Sequence, residues 1–435
     1  MSTISEKLFI GIDLGTSGAR AIAIDTDGNT LGDGRCALPQ ADRRAPSAWW
    51  NAVGSALDGL LKQIDRSAVQ AIAIDATSGT VLAIDQHGTP LTDALMYNDA
   101  IDATDILQAI AEHAPAATAV HGASSALARA ITLQRHTQHN NTAQRRKTNV
   151  SIVHQADWLA GKLSGHYTIS DESNALKTGY DPVNRCWPDW MSKTGLDPGL
   201  LPTVLPCGTV NRVISAESVK RFQLPDSTVL VTGASDGCAS FLATGAQAIG
   251  DCVTALGTTI TMKMLSDKPL FEPAYGIYSH RMGDRWLAGG ASNSGGNVLL
   301  EFFTSDQIKR HSQHIDLVNS PDLNYYPLLT PGERFPHNDA NWQPRLSPRP
   351  ESDSEFLHGL LEGMADIEAL GYQRLQELGA PAPTTIRTVG GGADNPQWSA
   401  IRLRKLNVPF APSISTEAAA GVAQLAKQAV LDSGS

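Results

Sequence analysis

Charge is scarce in this chain: only 18% of its residues are Asp, Glu, Lys or Arg, and aromatic residues make up 6%. The charge that is present leans acidic, with a formal net charge of -10. A chain without a basic surplus has no general electrostatic reason to bind nucleic acid or an anionic membrane, so neither is expected as a partner. An anionic ligand must instead be held locally, by backbone amides, a metal ion or a few Lys and Arg side chains. No apolar run is long enough to cross a bilayer, and the polar opening Met1 to Lys7 carries no signal-peptide pattern. Cysteine is sparse and odd in number: Cys36, Cys186, Cys207, Cys238 and Cys252. Their spacings fit neither a zinc site nor a disulfide framework. Reduced thiols in a cytoplasmic protein are the expectation. The twelve His residues show no metal-ligand spacing.

What the sequence does have is a large apolar content, 42% over 435 residues. That suits a globular protein of two or three domains. Leu8 to Asp13 and Ala19 to Asp25 are apolar, β-prone runs joined by the tight turn Gly15-Thr16-Ser17-Gly18. Asp27-Gly28-Asn29 leads to a third run, so antiparallel pairing is predicted. Ser47 to Leu61 has helical spacing, with Ser47 as a candidate N-cap. A strand over Ala71 to Asp75 follows, giving an α/β order. The polar stretch His136 to Lys147 reads as a surface loop or a frayed helix end.

A second unit opens near Val229 as strand, turn and helix. The segment DCVTALGTTITMKML then repeats the strand–turn–strand of the opening, with Gly257-Thr258-Thr259 at its turn. This is a repeat of one supersecondary unit, not of a short solenoid period. Residues 336 to 353 read as a loop, Phe356 to Leu378 as an amphipathic helix and Thr416 to Leu431 as a final helix.

Four motifs carry chemistry. In Asp13-Leu14-Gly15-Thr16-Ser17-Gly18, a strand ends in an acid and a small-residue turn lets backbone amides approach a phosphate. Asp13 can hold Mg²⁺ through water. A plain hairpin turn has the same composition. The turn Gly257-Thr258-Thr259 is weak alone, but with the first motif it makes a two-sided phosphate clamp. In Gly233-Ala234-Ser235-Asp236-Gly237, small residues leave one acid accessible at a strand-to-helix junction. Asp236 is a candidate general base, although an Asp there can equally be a helix cap. In the run from Gly390 through Gly391, Gly392 and Asn395 to Trp398, glycines allow a ring to lie flat on the backbone. Asn395 could bond an adenine edge, and Trp398 could pack on the base or in the core. Asp75, Ser78, Asn98 and Asp99 fall near strand ends and could line a polyol pocket, or be ordinary loop residues. Trp187 and Trp190 are read as core.

In this order, the four motifs resemble the FGGY carbohydrate kinase family, over nearly the whole chain from Phe9 to Val422. DWLAGKLSGHYTISDESNALKTGYDPVNRCW looks like the family's central signature, and LHGLLEGMADIEALGYQRLQELG like its long second-domain helix. The opening IDLGTSGARAIA, MYND at Met96 to Asp99 and GASDGCAS around Asp236 are most similar to the short plant and cyanobacterial members that act on D-ribulose. Two departures stand out. Tyr97-Asn98-Asp99-Ala100-Ile101 lacks the arginine of the family's Trp-x-Asp-x-Arg element, and Arg402-Leu403-Arg404 replaces an Ala-Asp pair.

The resemblance implies an α/β protein of two actin-like (ribonuclease-H-like) ATPase domains with a catalytic cleft between them. Residues 1-230 plus 413-435 would form the sugar-binding domain and 231-412 the nucleotide-binding domain. It implies ATP and Mg²⁺ as cofactors and a ketopentose as substrate, D-ribulose first and D-xylulose as the alternative. Asp236 and Asp13 would be catalytic, with Asp13 also at the metal. Gly15, Thr16, Ser17, Gly257, Thr258 and Thr259 would bind phosphates. Gly391, Gly392, Asn395 and Trp398 would bind adenosine, and Asp13, Ser78, Asn98, Asp99 and Asp236 the sugar. A monomer or homodimer is expected. The reading from another class is a non-catalytic sugar- or nucleotide-binding regulator on the same fold, which loss of Asp13 or Asp236 would favour; both are present.

Overall fold

A computed structural model describes residues 7–144 and 149–432. The polar opening up to residue 6 and positions 145–147 of the polar stretch lie outside them. Two compact units emerge: residues 1–243, 280–283 and 417–435 in one, and residues 244–279 and 284–416 in the other.

The first unit is built on a six-stranded sheet in the order β3-β2-β1-β4-β10-β9. Its strands are β1 (Leu8–Leu14), β2 (Gly18–Ile24), β3 (Thr30–Ala37), β4 (Val69–Ala76), β9 (Val210–Val213) and β10 (Val229–Ser235). β1 pairs antiparallel with β2 and parallel with β4, and β4 pairs parallel with β10. Small side pairs form from β5 (Val81–Asp85) with β6 (Val150–His154), and from β7 (Ile169–Asp171) with β8 (Thr203–Leu205). Burial follows position. Central β1 is buried almost throughout, as a strand covered on both faces must be, whereas edge strand β3 alternates.

Two glycines make this packing possible. A Cβ at Gly11 would lie 1.8 Å from the carbonyl oxygen of Ala419, so its absence lets the C-terminal helix Ala418–Asp432 lie directly on β1. A Cβ at Gly233 would lie 1.7 Å from the carbonyl oxygen of Ile74. There the β10–β4 register shifts, between Val231 and Ala234, and the strand resumes with Ala234 opposite Asp75.

The second unit has a five-stranded sheet in the order β13-β14-β12-β11-β15. These are β11 (Asp251–Leu256), β12 (Ile260–Ser266), β13 (Tyr278–Met282), β14 (Arg285–Ala291) and β15 (Thr385–Val389). β11 pairs antiparallel with β12 and parallel with β15, as β1 does with β2 and β4. The repeat seen in sequence is thus a repeat of sheet topology. Helix Asp353–Glu377 supplies Phe356, Leu360, Leu361, Met364 and Ile367 to this unit's core.

Several sequence expectations shift. The chain passes from the first unit to the second at Ala243–Thr244 rather than at residue 230, because β10 is a member of the first sheet. The first helix is Pro46–Leu60, capped by Ala45 without a side-chain bond. Ser47 is therefore inside the helix: Pro46 takes the first helical position, where its missing N–H costs nothing. Of the two readings of the polar stretch, a loop or a helix end, the second holds for most of it: the helix Ala126–Gln144 ends there. No helix among the described residues is long and apolar enough to cross a membrane, and none of the five cysteines is in a disulfide.

Candidate active site

In the first unit, three acids gather where parallel strands end. Asp13 on β1 and Asp75 on β4 are register partners, and Asp236 begins the helix Asp236–Ala243 directly after β10. Burial pushes the Asp13 carboxyl above the ordinary carboxylate range; a hydrogen bond with Asp75 and the charge of Arg20 oppose the rise, and the nearby Asp236 adds to it. Asp75 is fully buried. Neither of its oxygens meets a hydrogen-bond donor. Its polar neighbour is the Asp13 carboxyl, with which it can share one proton. Burial, then Asp13 and Asp236, push Asp75 far upward. Asp75 therefore does not line a polyol pocket; it lies behind Asp13.

Asp236 is half-buried, and its Oδ1 accepts the amide of Gly237 at 2.8 Å. The turn Gly15, Thr16, Ser17 joins β1 to β2, closed by the Gly15 amide on the Gly18 carbonyl at 3.0 Å. Gly15 and Thr16 are half-buried and Ser17 is exposed.

Ser78 follows β4 by two residues, and its Oγ is buried without a partner. Tyr97 donates its amide to Thr80 Oγ1 at 3.1 Å, which ties the turn holding Ser78 to the segment holding Asn98 and Asp99. Asn98 is exposed. Asp99 is already engaged: it accepts the Met96 amide at 2.8 Å and Arg44 Nη2 at 2.6 Å. The Arg44 guanidinium, bonded through both terminal nitrogens, holds the Asp99 carboxyl below its ordinary range. Asp99 is thus paired with an arginine that precedes the first helix. Sequence reading also missed Arg129. This buried guanidinium donates to the carbonyls of Gly79, Asp99 and Ser124 at 3.0–3.1 Å, clamping both segments. Burial lowers its pKa to about 10. The available signal was an arginine inside the apolar run ALARAITL.

The second unit contains a cavity of about 700 Å³, lined by Leu256, Thr258, Leu299, Ile308, Asn395 and Trp398 among others. Gly257, Thr258 and Thr259 form the β11–β12 turn, of which Gly257 and Thr258 line the cavity wall. The carbonyls of Gly257 and Thr258 accept the amides of Gly296 and Asn297 at 2.9 and 3.0 Å, which fixes the turn on helix Gly296–Phe302. Gly391 and Gly392 begin a 3-10 turn after Gly390, whose φ of 86° requires glycine. Asn395 is anchored through both ends of its carboxamide. Its Oδ1 caps the Trp398 amide at 3.1 Å and its Nδ2 donates to Ser312 Oγ at 2.8 Å. Trp398 is 2% exposed and belongs to the unit's core while forming part of the cavity wall. Arg402 makes a buried ion pair with Glu368 and is not part of that wall.

The first unit offers a half-buried carboxylate, Asp236, and a turn rich in hydroxyls and amides, and the second unit offers a cavity beside a similar turn. Among the described residues no group of three or more His, Cys, Asp or Glu is arranged to hold a metal. Mg²⁺ needs no such cage, since it binds through one or two carboxylates and keeps several waters. The half-buried Asp13 carboxyl at the end of β1 fits such an ion.

Comparison with known proteins bears on this geometry. Residues 8–243 match the N-terminal domain of the FGGY family of carbohydrate kinases, and residues 252–430 match its C-terminal domain. The chain is 24% identical over 430 residues to a gluconokinase of Bacillus subtilis (strain 168), covering 89% of this chain and 81% of that protein. It is 23% identical over 415 residues to the xylulose kinase of Escherichia coli (strain K12), covering 90% and 83%. In fold it resembles the crystal structure of a xyloylose kinase from Brucella ovis, with a TM-score of 0.86, 23% identity and coverage of 98% and 91%. The gluconate kinase of Lactobacillus acidophilus is similar too, with a TM-score of 0.83, 20% identity and coverage of 98% and 89%.

Proposed function

The chain belongs to the FGGY family of carbohydrate kinases, and on that premise we propose that this sugar kinase phosphorylates the terminal primary hydroxyl of a ketopentose, D-ribulose, from ATP. The observation that carries the reading is the convergence of Asp13 and Asp236 at one end of the first sheet, near the turn that presents Ser78. Asp236 accepts the hydroxyl proton. The hydroxyl oxygen bonds to the γ-phosphorus as the bond to the bridging oxygen breaks, and ADP leaves. The transition state is largely dissociative, so the proton leaves late and a weak carboxylate base is enough. Gly15, Thr16 and Ser17, with Gly257, Thr258 and Thr259, hold phosphate oxygens through amides and hydroxyls. The apolar cavity, with Gly391, Gly392, Trp398 and Asn395 at its wall, takes adenosine. Asn395 acts there through the turn it caps. Ser78 and Asn98 bond the sugar, and Asp99 shapes that segment through Arg44. Asp13 anchors Mg²⁺, an ion that supplies charge neutralisation to the transferring phosphate.

The alternative substrate is D-xylulose, favoured by the xylulose kinases among the relatives. A coupled ADP-release assay over D-ribulose, D-xylulose, D-gluconate and glycerol decides. D-ribulose should give the highest kcat/KM. A higher value for D-xylulose moves the assignment to the C3 epimer, and a higher value for glycerol or gluconate than for either ketopentose overturns it.

A further inference from the structure

Asp236 takes its place from the end of β10, and that end is not fixed by strand pairing alone. β9 accompanies β10 only as far as Val231, opposite Val210. Beyond that point the Ser235 amide donates to Ser173 Oγ at 2.8 Å, across 62 residues of sequence. Ser173 Oγ in turn donates to Asp171 Oδ1 at 2.6 Å. A hydroxyl has one proton, and here it is spent on Asp171, so the lone pair facing Ser235 is fixed in direction. Asp171 is itself immobilised. Its Oδ1 accepts the amides of Ser173 and Asn174, each at 2.9 Å, and Asn174 Nδ2 reaches its Oδ2 at 2.7 Å. Cys207 Sγ lies 3.7 Å from Oδ1. Asp171, Ser173, Asn174 and Ser235 are all buried, so water cannot replace a lost bond.

We propose that Ser173 is a positioning residue for phosphoryl transfer: held by Asp171, it sets the backbone immediately before Asp236 and so the aim of that carboxylate. The inference rests on Asp236 being the general base. Ser173 touches no reacting atom in this scheme. Its removal frees the Ser235 amide and lets the start of the following helix drift. Small misplacements of a reacting group cost rate more than binding.

The test uses the full-length chain with ATP and its best ketose, comparing Ser173→Ala, Ser173→Cys, Asp236→Asn and the double variant Ser173→Ala/Asp236→Asn. Ser173→Ala should lower kcat about 10- to 100-fold and leave both KM values within about twofold. Ser173→Cys keeps the shape but is a poorer acceptor, so its kcat should fall between Ala and wild type. It also serves as the test if the Ala variant does not fold. In the Asp236→Asn background, Ser173→Ala should have no further effect on kcat, because residues acting through one another are non-additive. Wild-type kcat in a folded Ser173→Ala or Ser173→Cys protein overturns the proposal, as does an undiminished effect in the Asp236→Asn background. If Asp236→Asn alone retains wild-type kcat, the general-base reading itself fails and takes this one with it.

Discussion

Asp13 and Asp75 sit opposite one another on adjacent parallel strands, two carboxyls in a place that accommodates one negative charge. Asp75 is the more deeply buried, so the shared proton belongs with it. Its folded pKa is raised above the ordinary 3.8, first by burial and then by Asp13. The folded chain therefore binds this proton more tightly than the unfolded chain. Stability from this site is full below the unfolded value and is lost as pH rises toward the folded one. Asp75→Asn keeps the shape, needs no proton and offers Asp13 an N–H donor. In metal-free buffer it should melt higher than wild type at neutral pH. The gap should widen with rising pH and close near pH 4, as read from Tm across about pH 4 to 9. A gap independent of pH would show that Asp75 does not carry the proton.

Asp13 itself should be essential for turnover and dispensable for folding. Asp13→Ala removes the anchor expected for the nucleotide-bound cation and relieves the carboxyl pair. A kcat loss on the order of 10²–10³ is expected, with Tm equal to or above that of wild type. Because burial raises the Asp13 pKa, the ionised form is lost on acidification earlier than for an exposed Asp. The acid limb of kcat against pH should accordingly lie above the ordinary carboxylate range. Full activity of the variant, or wild-type activity retained in excess chelator, would remove Asp13 from the metal.

The two glycines at the wall of the second unit's cavity should behave oppositely, if that cavity takes ATP as proposed. A Cβ at Gly391 meets nothing within 4 Å, whereas a Cβ at Gly392 would fall 2.5 Å from Trp398 Cζ3 and 2.7 Å from Leu256 Cβ. Gly391→Val should then occupy cavity space without strain, raising KM for ATP roughly tenfold or more at unchanged Tm. Gly392→Ala should instead push against a core tryptophan and cost about 1–3 kcal/mol of stability. Calorimetry of ATP binding and thermal melts on the two variants separate these effects. Equal ATP affinity of Gly391→Val and wild type would move the nucleotide elsewhere.

Local pattern made much of this molecule legible in sequence. The two strand–turn–strand motifs, the long helix around Phe356 and the acid at a strand-to-helix junction are each written in contiguous residues, where apolar period and turn chemistry report directly. What escaped notice depends on partners distant in sequence. The boundary near Ala243 follows from β10 pairing with β4, which Gly233 allows by leaving room for the Ile74 carbonyl. Asn395 is anchored by a bond from one side-chain N–H to Ser312, 83 residues away. The pairing of Asp99 with Arg44, 55 residues upstream, has no local signature either. Ser173 gave no signal at all, because a serine that satisfies one remote amide has no periodicity to betray it.

The residue on which the enzymatic reading depends most is Asp236, and one substitution divides its two roles. Its Oδ1 accepts the Gly237 amide at the start of a helix, as a structural acid would. An asparagine serves that purpose as well as an aspartate. If that were its whole role, Asp236→Asn should keep both kcat and Tm near wild type. As general base, Asp236 must take a proton, which an amide cannot do. The variant should then lose roughly 10²–10⁴ in kcat. The sugar Kd should change little, because the amide is nearly isosteric and can still hydrogen-bond a hydroxyl. Removing a negative charge from beside Asp13 and Asp75 should also raise Tm slightly, since Asp236 adds to the upward push on both. Steady-state kcat, sugar Kd by calorimetry and Tm on one preparation therefore give opposite patterns for the two roles. A slow variant that binds sugar normally and melts no lower than wild type identifies the base, whereas a normal kcat in a folded Asp236→Asn protein removes it.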